Sequence, residues 1–200
     1  MSIAVFDVGN VLIRWDPRFL YRDVFAGDEE RMEWFLANVC THDWNLEMDR
    51  GVPYADQVTS LIARHPEWAS QIRAFDERWH EMVPHAIEEN VALLETLLAR
   101  EPVYAITNFS REKWAEARER FPVLQRFEGV VVSAHERLVK PDPAIYEVLL
   151  ERYRLPAGEC VFIDDSPANV EGARAVGMRA IHCPLGFDLA PALRAEGFAV

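Results

Sequence analysis

Residues 160–167 read Cys-Val-Phe-Ile-Asp-Asp-Ser-Pro. An unbroken apolar run stops at two carboxylates, and Ser166-Pro167 then opens a stretch with helical spacing over 167–176. A strand that lacks polar alternation is buried on both faces, as in a parallel sheet covered by helices. The same grammar repeats outward from this stretch. Residues 103–107, 129–133 and 179–182 are short apolar β-rich runs, and 3–6 (Ile-Ala-Val-Phe) adds another. Helical stretches separate them: 86–100, with Ile87, Val91, Leu94 and Leu98 in register, then 111–120, and 142–153 entered through Pro141 and Pro143. The alternation predicts an α/β chain with a parallel sheet of about five strands flanked by helices.

Residues 14–84 break the pattern. They hold Trp15, Trp34, Trp44, Trp68 and Trp79 and no convincing strand. Helices are expected over 17–26, 29–40, 54–64 and 67–83, punctuated by Gly27, Asp28, Gly51, Pro53 and Pro66. The expected organisation is therefore a core of 1–13 and 85–200 carrying an all-helical insert at 14–84.

Composition narrows the partners. Across 200 residues, 33 acidic against 21 basic side chains give a net charge of −12, which argues against a phosphate-backbone surface. No apolar run approaches the roughly 20 residues needed to span a bilayer. Asp7 follows the N-terminus too closely for a signal-peptide core, and the expected location is cytoplasmic. Cys40, Cys160 and Cys183 are dispersed and form no CxxC pair, so neither a zinc site nor a disulfide framework is expected. The six histidines show no metal-binding spacing, and no GxGxxG or GxxxxGK[ST] loop is present.

In open parallel sheets ligands bind beyond the carboxyl ends of the strands. Here the strands lead to Asp7, to Thr107-Asn108, to Lys140 seven residues beyond Ser133, and to Asp164-Asp165. Each is common alone as a cap or turn residue. Together on one rim they suit phosphoryl transfer through an aspartyl-phosphate. A carboxylate nucleophile divides the displacement into two easier ones, but it repels a phosphate dianion. Mg2+ held by Asp7, with Asp165 and Asp164 close by, cancels that repulsion with the hard oxygen ligands it prefers. Lys140 adds a point charge and the Thr107 hydroxyl a neutral donor.

At these residues the sequence resembles the haloacid dehalogenase-like hydrolase superfamily, in its cap-bearing phosphatase branch. The matching segments are Val5-Phe6-Asp7-Val8-Gly9-Asn10-Val11-Leu12, Ile106-Thr107-Asn108, Val139-Lys140-Pro141-Asp142-Pro143 and Phe162-Ile163-Asp164-Asp165-Ser166, in the family's order. The resemblance implies a Rossmann-like core, a helical cap after strand 1, Mg2+ dependence and Asp7 as nucleophile. It also implies that the Gly9 carbonyl joins Asp7 and Asp165 around the metal. The expected partner is a small phosphorylated molecule, and the expected state of the chain is a monomer or homodimer.

One position departs from the family. Most of its phosphatases carry a second Asp two residues after the nucleophile as general acid and then base; here it is Gly9. Losing such a group typically costs about 10²–10⁴ in rate. The Asp-x-Gly-Asn pattern resembles that of small sugar-phosphate phosphatases, whose leaving group needs less protonation. Two other readings follow from Gly9. One is a 2-haloacid dehalogenase using Asp7, since halide leaves without a proton, although the acidic pair at 164–165 is out of place there. The other is a binding or regulatory protein with little turnover. Residues 42–51 are expected as a cap loop facing the site, with Trp44 stacking on substrate and Asn45, Glu47 or Arg50 hydrogen bonding. Arg14 or Asp16, at the entry to the insert, is a candidate for the missing acid–base.

Overall fold

The chain begins with β1 (Ile3–Phe6), whose four residues are apolar and almost wholly buried. The computed structural model describes residues 2–200. Six helices follow: α1 (Arg18–Val24), α2 (Glu29–Asn38), α3 (His42–Asp49), α4 (Tyr54–Arg64), α5 (Ala69–Glu77) and α6 (Trp79–Met82). Then come α7 (Glu88–Leu98), β2 (Tyr104–Thr107), α8 (Arg111–Arg120), β3 (Gly129–Val132), α9 (Ser133–Glu136) and α10 (Pro143–Tyr153). The chain closes with β4 (Cys160–Asp164), α11 (Pro167–Ala175), β5 (Arg179–His182) and α12 (Leu189–Ala195).

The five strands form one parallel sheet in the order β3-β2-β1-β4-β5. The chain winds outward from β1 through β2 to β3, then returns to place β4 on the other side of β1. That reversal opens a crevice at the carboxyl ends of β1 and β4, where ligands bind in such sheets. Register sets the rim: Phe6 lies opposite Ile163, and the Asp7 N–H donates to the Ile163 carbonyl at 2.8 Å. Asp7 and Asp164 are thereby level.

Local chemistry explains where the helices start. Asp28, Thr41, Ser110 and Asp142 each accept a backbone N–H of the first turn that follows them. Pro143 and Pro167 stand at the first helical positions of α10 and α11, where the missing N–H costs nothing.

Three expectations need correction. Ser133, read as a strand end, begins α9. The helix expected over 67–83 is a short 3-10 turn at Pro66–Trp68 followed by α5 and α6, which part at Arg78. Residues 42–49, read as a loop, are helical, because Thr41 caps them by accepting the Trp44 N–H at 3.1 Å.

The two chain segments that enter and leave the six helices run side by side. Ile13 bridges Ala86 in antiparallel fashion, the Arg14 N–H donates to the His85 carbonyl at 3.0 Å, and the Ile87 N–H to Leu12 at 2.8 Å. Apolar residues of the helices (Tyr21, Phe35, Met48, Phe75) share one continuous buried cluster with Phe6, Val8 and Leu12 of the sheet end. Each such side chain contributes about 1.5–3 kcal/mol on burial. The helices are thus seated firmly over the rim. All three cysteines are buried and free. Among the described residues no helix is long and apolar enough to cross a membrane.

Candidate active site

Lys140 is the hub of the rim. Its ammonium lies 2.7 Å from Asp7 Oδ1 and 2.7 Å from Asp164 Oδ2, with its side chain 1% exposed. Burial opposes the charge, but the carboxylates of Asp164 and Asp7 outweigh it and hold the pKa above the usual lysine value. Burial pushes the Asp7 carboxyl up to about 7, against the pull of Lys140 and with the help of Asp164 and Asp165. Asp165 is also raised, by burial and then by Asp164. Three carboxylates around one ammonium leave the cluster short of positive charge.

The loop carrying Lys140 is held from both sides. Asn108 Oδ1 accepts the Lys140 N–H at 2.9 Å and its Nδ2 donates to the Lys140 carbonyl at 3.2 Å. From α11, Gly172 approaches so closely that a Cβ there would lie 2.7 Å from the Pro141 carbonyl oxygen. Asp164 is fully committed as well. Its Oδ2 takes Lys140, and its Oδ1 accepts from the Ser166 N–H at 2.8 Å and from Asn169 Nδ2 at 3.0 Å. Asn108 thus brackets the Lys140 backbone, while Asp164, expected from the sequence close to the metal, meets Lys140 through Oδ2 and the Ser166 and Asn169 donors through Oδ1.

Thr107 is 1% exposed, and its hydroxyl is a buried polar atom with no partner. Such a group costs about 1–3 kcal/mol unless a ligand satisfies it. Replacing Thr107 with Val should leave the melting temperature unchanged or higher, while kcat/KM falls about 10²–10³, as for loss of one donor to a developing anion. A steady-state assay beside a thermal melt checks both halves.

Asp7, Asp164 and Asp165 each present an oxygen within 4.8 Å of the others. Hard, anionic and convergent oxygens are the donor set for Mg2+. Asp7 and Asp164 each pair with Lys140 through one oxygen, and Asp165 completes the set.

Two cavities lie between the helices and the rim. The outer, about 330 Å³, is walled by Arg14, Trp15, Asp16, Arg18, Leu36, Thr41, His42, Asn45 and Phe75. The inner, about 60 Å³, is lined by Gly9, Asn108, Phe109 and Ser110 from the core and by Asn45, Asp49, Tyr54 and Trp79 from the helices. Trp15 and Asn45 line both. The larger cavity touches none of the charged rim residues; the smaller one adjoins the chemistry at Gly9 and Asn108.

Trp44, expected to stack on substrate, lines neither cavity. Helix α3 turns it inward, 6% exposed, edge-on to Phe75 with ring centroids 5.0 Å apart. Glu47 and Arg50 pair with each other on the surface at 2.6 Å. Asn45 does face the cavities, and one turn on, Asp49 shares its face. In a loop nothing singles out Asp49; its i,i+4 spacing from Asn45 puts the two on one face only because the segment is helical.

The family model for haloacid dehalogenase-like hydrolases matches residues 1–177. The chain belongs to this family. A sesquiterpene phosphatase of Aspergillus oryzae is 38% identical over 185 residues, covering 90% of this chain and 88% of that protein. A phosphorylated carbohydrates phosphatase of Thermotoga maritima is 25% identical over 190 residues, covering 91% and 84%. Among solved structures, a haloacid dehalogenase family enzyme of Bacteroides thetaiotaomicron in complex with magnesium and inorganic phosphate superposes with a TM-score of 0.78 at 23% identity, covering 97% of this chain and 100% of that one. The fold is that of the family, and the protein is a haloacid dehalogenase-like hydrolase with phosphatase relatives.

Proposed function

We propose that this hydrolase is a Mg2+-dependent phosphatase that cleaves a small phosphorylated metabolite through an aspartyl-phosphate on Asp7. One observation carries the reading: a single buried ammonium, Lys140, sits 2.7 Å from both Asp7 and Asp164 at the sheet's switch point, with Asp165 in reach. The residues 14–84 serve as the cap over that point. Asp7, Asp165 and the Gly9 carbonyl would hold the metal, which supplies the positive charge that lets a carboxylate and a phosphate dianion meet.

The chain's own groups do the rest. An Asp7 carboxylate oxygen attacks phosphorus. Lys140 compensates negative charge on the transferring oxygens, and the unpartnered Thr107 hydroxyl donates to one of them. Asn108, Asp164 and Asn169 keep the ammonium in place. The leaving group occupies the route through Trp15 and Asn45 into the outer cavity, whose mixed aromatic and polar wall fits an organic moiety. The relatives that act on sesquiterpene and carbohydrate phosphates bracket that chemistry.

The test is direct. With p-nitrophenyl phosphate the protein should release phosphate in the presence of Mg2+, lose that activity in EDTA and regain it on Mg2+ addition. With chloroacetate it should release no chloride. Chloride release, or phosphate release indifferent to EDTA, would overturn the reading in favour of the dehalogenase or another chemistry.

A further inference from the structure

Breaking a phosphate ester at an alkyl oxygen generates an alkoxide, so the first step calls for a proton and the second for a base that takes one from water. Gly9 can supply neither, and a Cβ built there would meet nothing within 4 Å. The candidates at the entry to the insert are engaged elsewhere. Asp16 Oδ1 accepts from the Arg18 N–H at 3.0 Å and lies 3.4 Å from its guanidinium, while Oδ2 pairs with Arg14 at 3.7 Å. Arg14 in turn donates to Asn10 Oδ1 and to the Trp15 carbonyl. Both line the outer cavity and not the inner one.

Resting on the phosphatase reading, we propose that Asp49, from the last turn of α3, is the general acid of the first step and the general base of the second. Among the described residues it is the one carboxyl side chain that lines the inner cavity, across from Gly9 and Asn108. Its backbone is fastened to the core and not merely carried by the insert. The Ser133 hydroxyl donates to the Asp49 carbonyl at 2.7 Å and accepts the Phe109 N–H at 2.9 Å. Two residues on, Gly51 has φ +95°, and a Cβ there would fall 2.7 Å from the Ala134 carbonyl oxygen. Only glycine permits this approach, which seats the end of α3 on the rim. The carboxyl itself accepts from Asn45 Nδ2 at 3.3 Å.

The surroundings suit a group that must both give and take a proton. Burial raises the Asp49 carboxyl to about 7, with Asp7 adding to the rise and Lys140 and the Ser110 N–H opposing it. Tyr54 and Lys113 also line the cavity, and the Lys113 ammonium is already paired with Asp76 at 2.8 Å and Glu116 at 3.1 Å. An acid–base group poised near neutrality is the effective kind. In the first step the Asp7–phosphorus bond forms as the ester P–O bond breaks, and the Asp49 proton passes to the leaving oxygen. In the second, water's oxygen bonds to phosphorus, its proton passes to Asp49, and the Asp7–phosphorus bond breaks to release inorganic phosphate. Both carboxyl groups return to their starting forms.

The experiment compares Asp49→Asn with the wild type on an alkyl phosphate and on p-nitrophenyl phosphate, whose leaving group needs no proton. The expected result is a fall of about 10²–10⁴ in kcat/KM for the alkyl ester and of less than about tenfold for the nitrophenyl ester. With the latter, a burst of nitrophenolate should precede a slow steady state. Gly9→Asp added to Asp49→Asn should recover alkyl phosphatase activity, since space for the new side chain is open. Equal losses on both esters with a lowered melting temperature would reduce Asp49 to a structural role and overturn the assignment, as would unchanged kinetics. Asp7→Asn, run in parallel, separates the two ideas. If it abolishes turnover while Asp49→Asn shows no leaving-group dependence, the acid–base assignment alone fails. If Asp7→Asn is as active as the wild type, or the wild type hydrolyses neither ester, the phosphatase reading fails and takes the assignment with it.

Discussion

Asp7→Asn should abolish turnover while leaving the fold intact, and in metal-free buffer it should melt at or above the wild type. The loss of activity follows from the missing nucleophile: an amide oxygen forms no acyl-phosphate at a useful rate. The stability effect follows from the charge balance. The Asp7 carboxyl sits at about 7 in the folded protein, against an ordinary value near 4. Between those values the unfolded chain gives up this proton while the folded chain keeps it. The wild type therefore loses folded stability as pH rises through the window from about 4 to about 7. Asparagine carries no such proton and escapes the loss. The advantage of the variant in EDTA should be largest at pH 8 and shrink toward pH 5. Mg2+ should reverse the order at pH 8 by raising the melting temperature of the wild type more than that of the variant. Melting curves at two pH values, with and without Mg2+, decide the matter. A variant less stable than the wild type at pH 8 in EDTA would show that the Asp7–Lys140 pair, not the excess of carboxylates, dominates the site.

Lys140→Met should damage stability and turnover together. The ammonium is buried between two carboxylates at 2.7 Å each, and Asp164 is itself 0% exposed. Removing one partner of such a cluster leaves uncompensated buried charge and costs about 3–5 kcal/mol. Turnover should fall at least about 10³-fold, because the charge on the transferring oxygens loses its counterpart. The double variant Lys140→Met/Asp164→Asn tests the cause. If the stability cost arises from the stranded Asp164 carboxylate, neutralising it should restore much of the melting temperature, since Asn retains an acceptor for the Ser166 N–H. Activity should not return. Recovery of activity in the double variant would mean that Lys140 does not act on the substrate.

The sheet was legible because each strand announces itself. Val-Phe-Ile before Asp164 and Ala-Ile before Thr107 are runs without polar alternation, and 179–182 is placed to the residue. Helices with caps or prolines at their starts, such as α8, α10 and α11, were readable for the same local reason. The segment 42–51 was not, because its polar and aromatic composition resembles a loop and the decisive feature is a single side chain, Thr41, capping the helix. Misreading it cost more than an element boundary. A loop offered Trp44 to the substrate, whereas the helix sends Trp44 against Phe75 and turns Asn45 and Asp49 to the cavity.

By itself the sequence determined which chemical groups stand at the rim. A parallel strand must end at one edge of the sheet, so whatever follows its last apolar residue is delivered there: Asp7, Thr107, Asp164 and Asp165. Which partner each group finds was decided only by the tertiary structure. Asp164 became the anchor of Lys140, Asn108 the clamp on its backbone, and Thr107 the donor left without a partner. Asp49 lines the cavity that adjoins the rim at Gly9 and Asn108, and it comes from a helix more than forty residues after Asp7 in the chain. Strand-end placement is a property of local pattern, which a one-dimensional string records. Hydrogen-bond partners and cavity walls are made by segments distant in sequence, and they exist only once the helices close over the sheet.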